Sequence, residues 1–302
     1  MRQVNVMLRD DALRETRKHG TSAFPFEAYL DDMSAFDNQV IEWHWHREIE
    51  ILMLERGRVD IWVGNECIRL SPGEGVIVNS GAIHKFEGHG EGIVPNFLFI
   101  PEWIAPEDSL IYKKYVLPWT QRGPAAQYLA PDVPWQREII GQIRALYAAA
   151  VAEADDYELE ALECTLHIWR VLWKNAAPSC RENAAPRGLN LTQARLKLMI
   201  QYILDHFGEH IALADIADAA AVSVSEALRC FHEGVQSTPM AYLNGVRLGH
   251  ARRLLTETEN SVGVIARECG FMSAVYMDRL FKRQYGCTPR AYREKHRLSS
   301  AD

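Results

Sequence analysis

The run SVGVIARECGFMSAVYMDRLFK, Ser261 to Lys282, carries two helical signals separated by a turn. Ser261 is placed to cap a helix on which Val262, Ile265 and Ala266 form an apolar stripe, and Gly270 ends that helix at a tight turn. A second helix starts near Ser273, with Met277, Leu280 and Phe281 on one face and Val275, Asp278, Arg279 and Lys282 on the other. Two short helices joined by a turn, the second with an apolar back and a partly basic front, form a helix-turn-helix, whose second helix enters a DNA major groove.

The same pattern occurs about fifty residues upstream. Arg229-x-Phe231, Thr238-Pro239 and Tyr242 recur as Arg279-x-Phe281, Thr288-Pro289 and Tyr292, and Ile216-Ala217 recurs as Ile265-Ala266. In the upstream copy Leu213, Ile216 and Ala217 mark the supporting helix, Val222-Ser223 the turn, and Ala227, Cys230 and Phe231 the buried side of the second helix. Its outward set is Ser225, Leu228, Arg229 and His232. Between the copies, Met240 to Leu255 predicts a helix with Leu243, Val246, Ala251 and Leu254 on its apolar side. At roughly 24 Å long, such a spacer suits two reading helices set about one DNA turn, roughly 34 Å, apart.

The stretch from about Leu191 to Arg297 resembles the DNA-binding domain of the AraC/XylS family of bacterial transcription regulators. The resemblance rests on Gly270-Phe271, Arg279-x-Phe281-Lys282, Gly286-x-Thr288-Pro289 and Tyr292-Arg293, and covers about a third of the chain. It implies double-stranded promoter DNA as partner and RNA polymerase as a further one. Contacts to DNA are then expected from Ser225, Leu228 and Arg229 in the first copy. In the second they are expected from Ala274, Val275, Tyr276, Asp278, Arg279 and Lys282, with Arg279 foremost. The first copy departs from the family pattern at Ala221, His232 and Gln236, where a turn glycine, a lysine and a second glycine are usual. If the last position requires positive φ, either Gln236 accepts strain or the turn is rebuilt around Gly234. The second copy is therefore expected to hold more of the DNA affinity.

A net charge of −7 over 302 residues looks wrong for a DNA binder, but the charge is unevenly divided. Residues 240–297 hold 11 Lys and Arg against 5 Asp and Glu, so basic surface gathers where phosphate contacts are needed. With 48% hydrophobic and 24% charged residues the composition is that of an ordinary globular protein. No apolar run approaches a membrane span and Met1 to Arg9 lacks a secretory pattern, which predicts a cytoplasmic protein without a membrane partner. The six cysteines show no C-x-x-C spacing and are expected to be idle thiols.

Upstream of residue 105 the pattern is that of β structure. Between Glu42 and Leu54, Trp43, Trp45, Ile49, Ile51 and Met53 share one parity, and His44, His46, Glu48, Glu50 and Leu52 the other. Arg58 to Val63 and Cys67 to Leu70 flank a Gly64-Asn65 turn, and Ser71 to Gly75 is a second turn before Val76-Ile77-Val78. Several short strands at this spacing suggest a barrel or a sandwich.

The spacing His44-x-His46-x-x-x-Glu50-x6-Gly57, followed by Gly73-x5-Asn79-x-Gly81-x-x-His84, is similar to the paired motifs of the cupin superfamily of jelly-roll barrels. Asn79 stands where proline is usual, and Gly88 where asparagine often occurs. The resemblance puts the four metal-ligand positions on His44, His46, Glu50 and His84, a donor set that suits a divalent transition metal without requiring one. The same residues with Trp62 are the expected effector pocket, for a small molecule such as a sugar or an aromatic compound. The alternative is that the histidines only line a polar pocket and that Trp43, Trp45 and Trp62 are core.

Two amphipathic segments, Trp135 to Glu153 and Tyr157 to Asn175, predict a helical hairpin. The first carries Ile139, Ile143, Leu146 and Tyr147; the second Leu159, Leu162, Leu166, Ile168 and Trp169. In the resembling family such helices make a homodimer contact; the alternative is that they cover the barrel. The expected organisation is α+β: a cupin-like barrel over 1–110, a helical region over 111–175, a linker over 176–189 and an all-α domain with two helix-turn-helix motifs over 190–302. The expected function is a ligand-responsive transcription regulator, not an enzyme. The rival is a metal-dependent cupin oxygenase or isomerase carrying a DNA-binding module.

Overall fold

The structure, a computed structural model, describes residues 1–3, 7–10, 12–153, 155–176 and 189–298, the side chains of 189, 190 and 296–298 excepted. The chain divides into two compact units, Met1–Gln193 and Ala194–Asp302.

The first unit is a near-closed antiparallel barrel flanked by helices, with strands β1 (Phe26–Asp32), β2 (Val40–His44), β3 (Ile49–Met53), β4 (Arg56–Val63), β5 (Glu66–Leu70), β6 (Gly75–Val78), β7 (His84–Phe99) and β8 (Ala126–Leu129). Strands run β5-β4-β7-β3-β6-β8, and β1 and β2 also pair with β7. The start of β7 lies between β2 and β4, and its end between β1 and β3, so this one strand joins both walls. Gly57 on β4 has φ 89°, and a Cβ there would lie 1.7 Å from the Glu91 carbonyl oxygen, which is why this close approach of β4 to β7 takes glycine. The two turns read from the sequence lie between β4 and β5 and between β5 and β6.

The alternation over Glu42 to Leu54 is real, but it spans two strands, β2 and β3, interrupted at Trp45 to Glu48. All of β3 is buried because each parity has its own core. Leu52 joins Val59, Ile61, Val63, Val76, Val78 and Phe86 inside the barrel. Ile49, Ile51 and Met53 face outward with Phe97 and Phe99, against α2 (Pro134–Ala152) and α3 (Tyr157–Ala176), which follow the short α1 (Leu117–Arg122). Ile139, Ile143 and Leu146 of α2, and Ile168 and Trp169 of α3, complete this second core. The helical hairpin therefore covers the barrel. Leu159 and Leu166, counted in its apolar stripe from the sequence, are exposed; the buried stripe of α3 runs instead through Ala161, Cys164, Thr165, Ile168 and Trp169. Asn79, where the cupin pattern has proline, is buried and its amide donates to the carbonyls of Trp119 and Pro124, fastening the α1 segment to the barrel.

Residues 177–188 of the expected linker lie outside the described residues, as does Cys180; Ala176 ends α3 and Leu189 opens α4 (Leu189–His206). The second unit continues with α5 (Leu213–Ala219), α6 (Val224–Val235), α7 (Pro239–Glu257), α8 (Val262–Glu268), α9 (Ala274–Tyr285) and α10 (Pro289–Leu298). Side chains of Ser223, Thr238 and Ser261 accept from the backbone N–H three residues on, fixing the starts of α6, α7 and α8, and Pro239 opens α7 where no amide donor is needed. Phe281, Leu280, Met277, Ile265 and Ala266 pack with Leu248, Ala251 and Leu255 of α7.

The repeat is kept in three dimensions, including at its sequence departures. Gly270 and Gly286 take φ 75° and 72°, and their counterparts Ala221 and Gln236 take φ 52° and 50°. Gln236 thus adopts the left-handed conformation itself, while Gly234 lies within α6, where a Cβ would come 2.2 Å from Leu196 Cδ2. Cys67, Cys164, Cys230, Cys269 and Cys287 are free. Among the described residues no helix is long and apolar enough to cross a membrane.

Candidate functional site

Inside the barrel, His44 from β2, His84 from the start of β7, Glu50 from β3 and His46 from the connection between β2 and β3 come together, all buried. The inward parity of β2 and β3 puts them there. His44 Nδ1 lies 2.8 Å from the Glu42 carbonyl, His46 Nδ1 3.1 Å from that of Glu48, and His84 Nδ1 2.9 Å from that of Ala82. A carbonyl oxygen only accepts, so each Nδ1 carries the proton and each Nε2 is left as the ligating atom. The three rings converge, with ligand atoms within 4.8 Å of one another.

Glu50 lies beside two of the three. Its Oε2 lies 3.3 Å from His46 Nε2 and 3.0 Å from His84 Nε2, and the latter nitrogen makes no hydrogen bond. With the Nδ1 protons committed, these groups offer lone pairs to one another in a buried space. A cation relieves that repulsion, or protonation of one imidazole does so in part. Burial, reinforced by the charges of His84 and His46, pushes the His44 pKa well below the ordinary value. Burial also disfavours charge on His46, but the Glu50 hydrogen bond and charge outweigh it and raise its pKa. The neighbouring imidazoles hold the Glu50 carboxyl well below the usual range despite its burial. Three buried imidazole nitrogens oriented by backbone carbonyls, with a buried carboxylate beside two of them, fit a divalent transition metal.

Three residues with no motif signal shape this site. Asn96, on β7, donates through its amide to Glu50 Oε1 at 2.6 Å and to Asp31 Oδ2 at 3.1 Å. Asp31, on β1, is buried, which raises its carboxyl pKa to about 7 against the lowering effect of the Asn96 hydrogen bond. His19 bonds Tyr29 Oη at 3.0 Å and packs edge-on to His46. The cavity beside the histidines measures about 30 Å³, room for an ion and about one water rather than a sugar ring.

Trp62, expected in the effector pocket, is not there. Register Val63↔His84 and Ile61↔Phe86 turns Ile61 and Val63 inward, so Trp62 points to the outer face of β4, where its Nε1 donates to Glu87 at 2.9 Å. Trp43 and Trp45 share the parity opposite to His44, and Trp45 Nε1 donates to the Ala12 carbonyl.

In the second unit the outward faces of α6 and α9 hold the residues expected to meet DNA. Ser225, Leu228 and Arg229 are exposed on α6, and Val275, Tyr276 and Arg279 on α9 with Lys282; Asp278 and Ala274 are half-buried, and Ala274 packs on the core. The two arginines differ. Arg229 is held by Glu226 at 2.7 Å and by Glu233 at 2.8 Å, and Arg195 shares Glu226. Arg279 instead stacks over the Tyr276 ring, 5.3 Å from its centroid. The i−3 and i+4 spacing of the two glutamates is legible in the sequence; sorting residues by helix face alone passes over it.

Residues 216–295 match the helix-turn-helix domain family, and residues 37–100 the cupin domain family. The HTH-type transcriptional regulator YdeC of Bacillus subtilis is 26% identical over 290 residues, covering 94% of this chain and 97% of that one. The HTH-type transcriptional activator RhaS of Escherichia fergusonii is 36% identical over 124 residues, 41% of this chain and 45% of its own. Among solved structures, the DNA-binding domain of AdpA in complex with a target DNA is 32% identical, covers 35% of this chain and 95% of that one, and has a TM-score of 0.34.

Proposed function

Because the chain belongs to the AraC family of transcriptional regulators, joining a cupin domain to an AraC-type helix-turn-helix domain, we propose that a divalent transition metal in the barrel is its input. His44, His46 and His84 would hold the ion through Nε2 and Glu50 through Oε2. The carrying observation is the three Nδ1 atoms facing backbone carbonyls, which leaves three convergent imidazole lone pairs against a buried carboxylate. The bound ion supplies positive charge that the cluster otherwise gains only by protonation of His46, so it favours the arrangement of the barrel in which the ligands meet. Regulation follows if that arrangement differs from the metal-free one in how the second unit is presented to promoter DNA. The homodimer, a contact with RNA polymerase and cytoplasmic operation belong to the same proposal; exposed Leu159 and Leu166 on α3 are apolar side chains available to a second copy.

This role is regulatory rather than catalytic. The small cavity leaves little space for an organic substrate beside the ion. Chelated full-length protein titrated with Zn²⁺, Mn²⁺, Co²⁺ or Ni²⁺ should bind about one ion per chain, gain thermal stability and change its affinity for a selected DNA site. His84→Ala should abolish all three effects. Metal binding without any change in DNA affinity would contradict the input role. Turnover of an organic compound by the loaded protein would restore the enzyme alternative.

A further inference from the structure

The front of α9 is not uniformly basic. Met272, in the turn before the helix, is 84% exposed and Val275 is 79% exposed, with Tyr276 and Arg279 next along the same face. Within the helix Val275, Tyr276 and Arg279 lie side by side, and with exposed Met272 just before the helix start they make one surface that begins apolar and ends in the cations Arg279, Lys282 and Arg283. Tyr276 is tethered through its hydroxyl by Asn244 of α7 at 3.4 Å and carries the Arg279 guanidinium on its ring, so the middle of the surface is held in place. The N-terminal residues of a recognition helix meet base edges. In the major groove the apolar feature offered there is the thymine C5-methyl group.

We propose that Met272 and Val275 determine specificity by covering thymine methyl groups in the half-site read by the second helix-turn-helix. The basic end of the surface complements the phosphate backbone beside it, which selects DNA over a protein as the occupant of this apolar patch. The inference rests on DNA binding by the second unit and adds the base chemistry that α9 selects. Leu228 on α6 is a smaller, half-covered counterpart; Met272 and Val275 put the larger apolar contact on the copy that also carries the free basic face.

The test uses full-length protein and a duplex selected by it from a random pool. Each thymine is replaced by deoxyuridine, which removes the methyl group and keeps base pairing. Covering one methyl is worth about 0.8 kcal/mol, or about fourfold in affinity, so uridine at one or two positions of one half-site should weaken binding by that factor each. In Met272→Ala/Val275→Ala those positions should become insensitive to uridine, while positions sensitive through Leu228 keep their effect. Overturning results are uridine-insensitivity throughout a site that the protein does select, or uridine effects that persist unchanged in the double variant. A double variant that binds DNA normally but fails to regulate would assign the patch to a protein partner and also overturn the proposal. Failure to select any DNA would instead strike at DNA binding itself.

Discussion

Gln236 and Gly286 hold the same left-handed backbone position, φ 50° and 72°, at the C-terminal ends of α6 and α9. The N–H of each bonds back to the fourth carbonyl before it, His232 in one case and Lys282 in the other. The chain thus keeps the geometry of the repeat where it has lost the residue suited to it. A side chain in this region costs roughly 1 kcal/mol, offset in part by the greater unfolded-state freedom of glycine.

Gln236→Gly should therefore stabilise the protein by up to about 1 kcal/mol, and Ala221→Gly by a similar amount. Gly270→Ala should do the opposite and more strongly, because its Cβ would also lie 2.4 Å from the Phe207 carbonyl oxygen. Urea unfolding followed by helical circular dichroism measures all three. Destabilisation by Gln236→Gly would contradict the strain.

The partners of the two arginines predict unequal roles on DNA. Arg279→Ala should cost about 1–3 kcal/mol if its guanidinium pairs with guanine. Arg229, already engaged by Glu226 and Glu233, should cost less. Glu226→Gln should enlarge the Arg229 contribution by releasing one of its partners. Anisotropy titrations on one selected duplex compare the variants, and a larger loss for Arg229→Ala would reverse the ranking of the two motifs.

Asn96 should govern metal affinity without touching the ion. Asn96→Ala removes the donor to both Glu50 and Asp31, and loss of such outer partners weakens metal binding about 10- to 100-fold. Stability should fall by about 1–3 kcal/mol as buried carboxylate oxygens lose their partner. Competition against a chromophoric chelator reads the first effect and thermal unfolding of chelated protein the second. Unchanged metal affinity would mean that Glu50 is oriented by other contacts.

Asp31 should make the chelated protein less stable as pH rises. Burial raises its pKa from 3.8 to about 7, so between those values the folded state holds more protons than the unfolded one. Stability linked to this group is then highest below pH 3.8, declines across the window and reaches its lowest level above about pH 7. Asp31→Asn, which stays neutral, should flatten that decline and be relatively most stabilising at pH 8. A decline of the same slope in the variant would assign it to other groups.

The sequence by itself determined the repeat, the helix cap at Ser261, the turns at Gly270 and Gly64-Asn65, and the common face of His44, His46 and Glu50. These are local periodicities and short spacings, set by the 3.6-residue helix, the two-residue strand and the steric freedom of glycine. Whether Gln236 or Gly234 would absorb the missing glycine was open in the sequence and closed by the backbone around them. Tertiary structure alone turned Trp62 outward, because alternation says that Ile61 and Trp62 face opposite ways but only the register of β4 on β7 says which faces the lumen. It alone laid the helical hairpin on the barrel, since an apolar stripe does not name what it packs against. It also set Asn96 between Glu50 and Asp31, 46 and 65 residues away, a pairing that exists only once β1, β3 and β7 lie side by side.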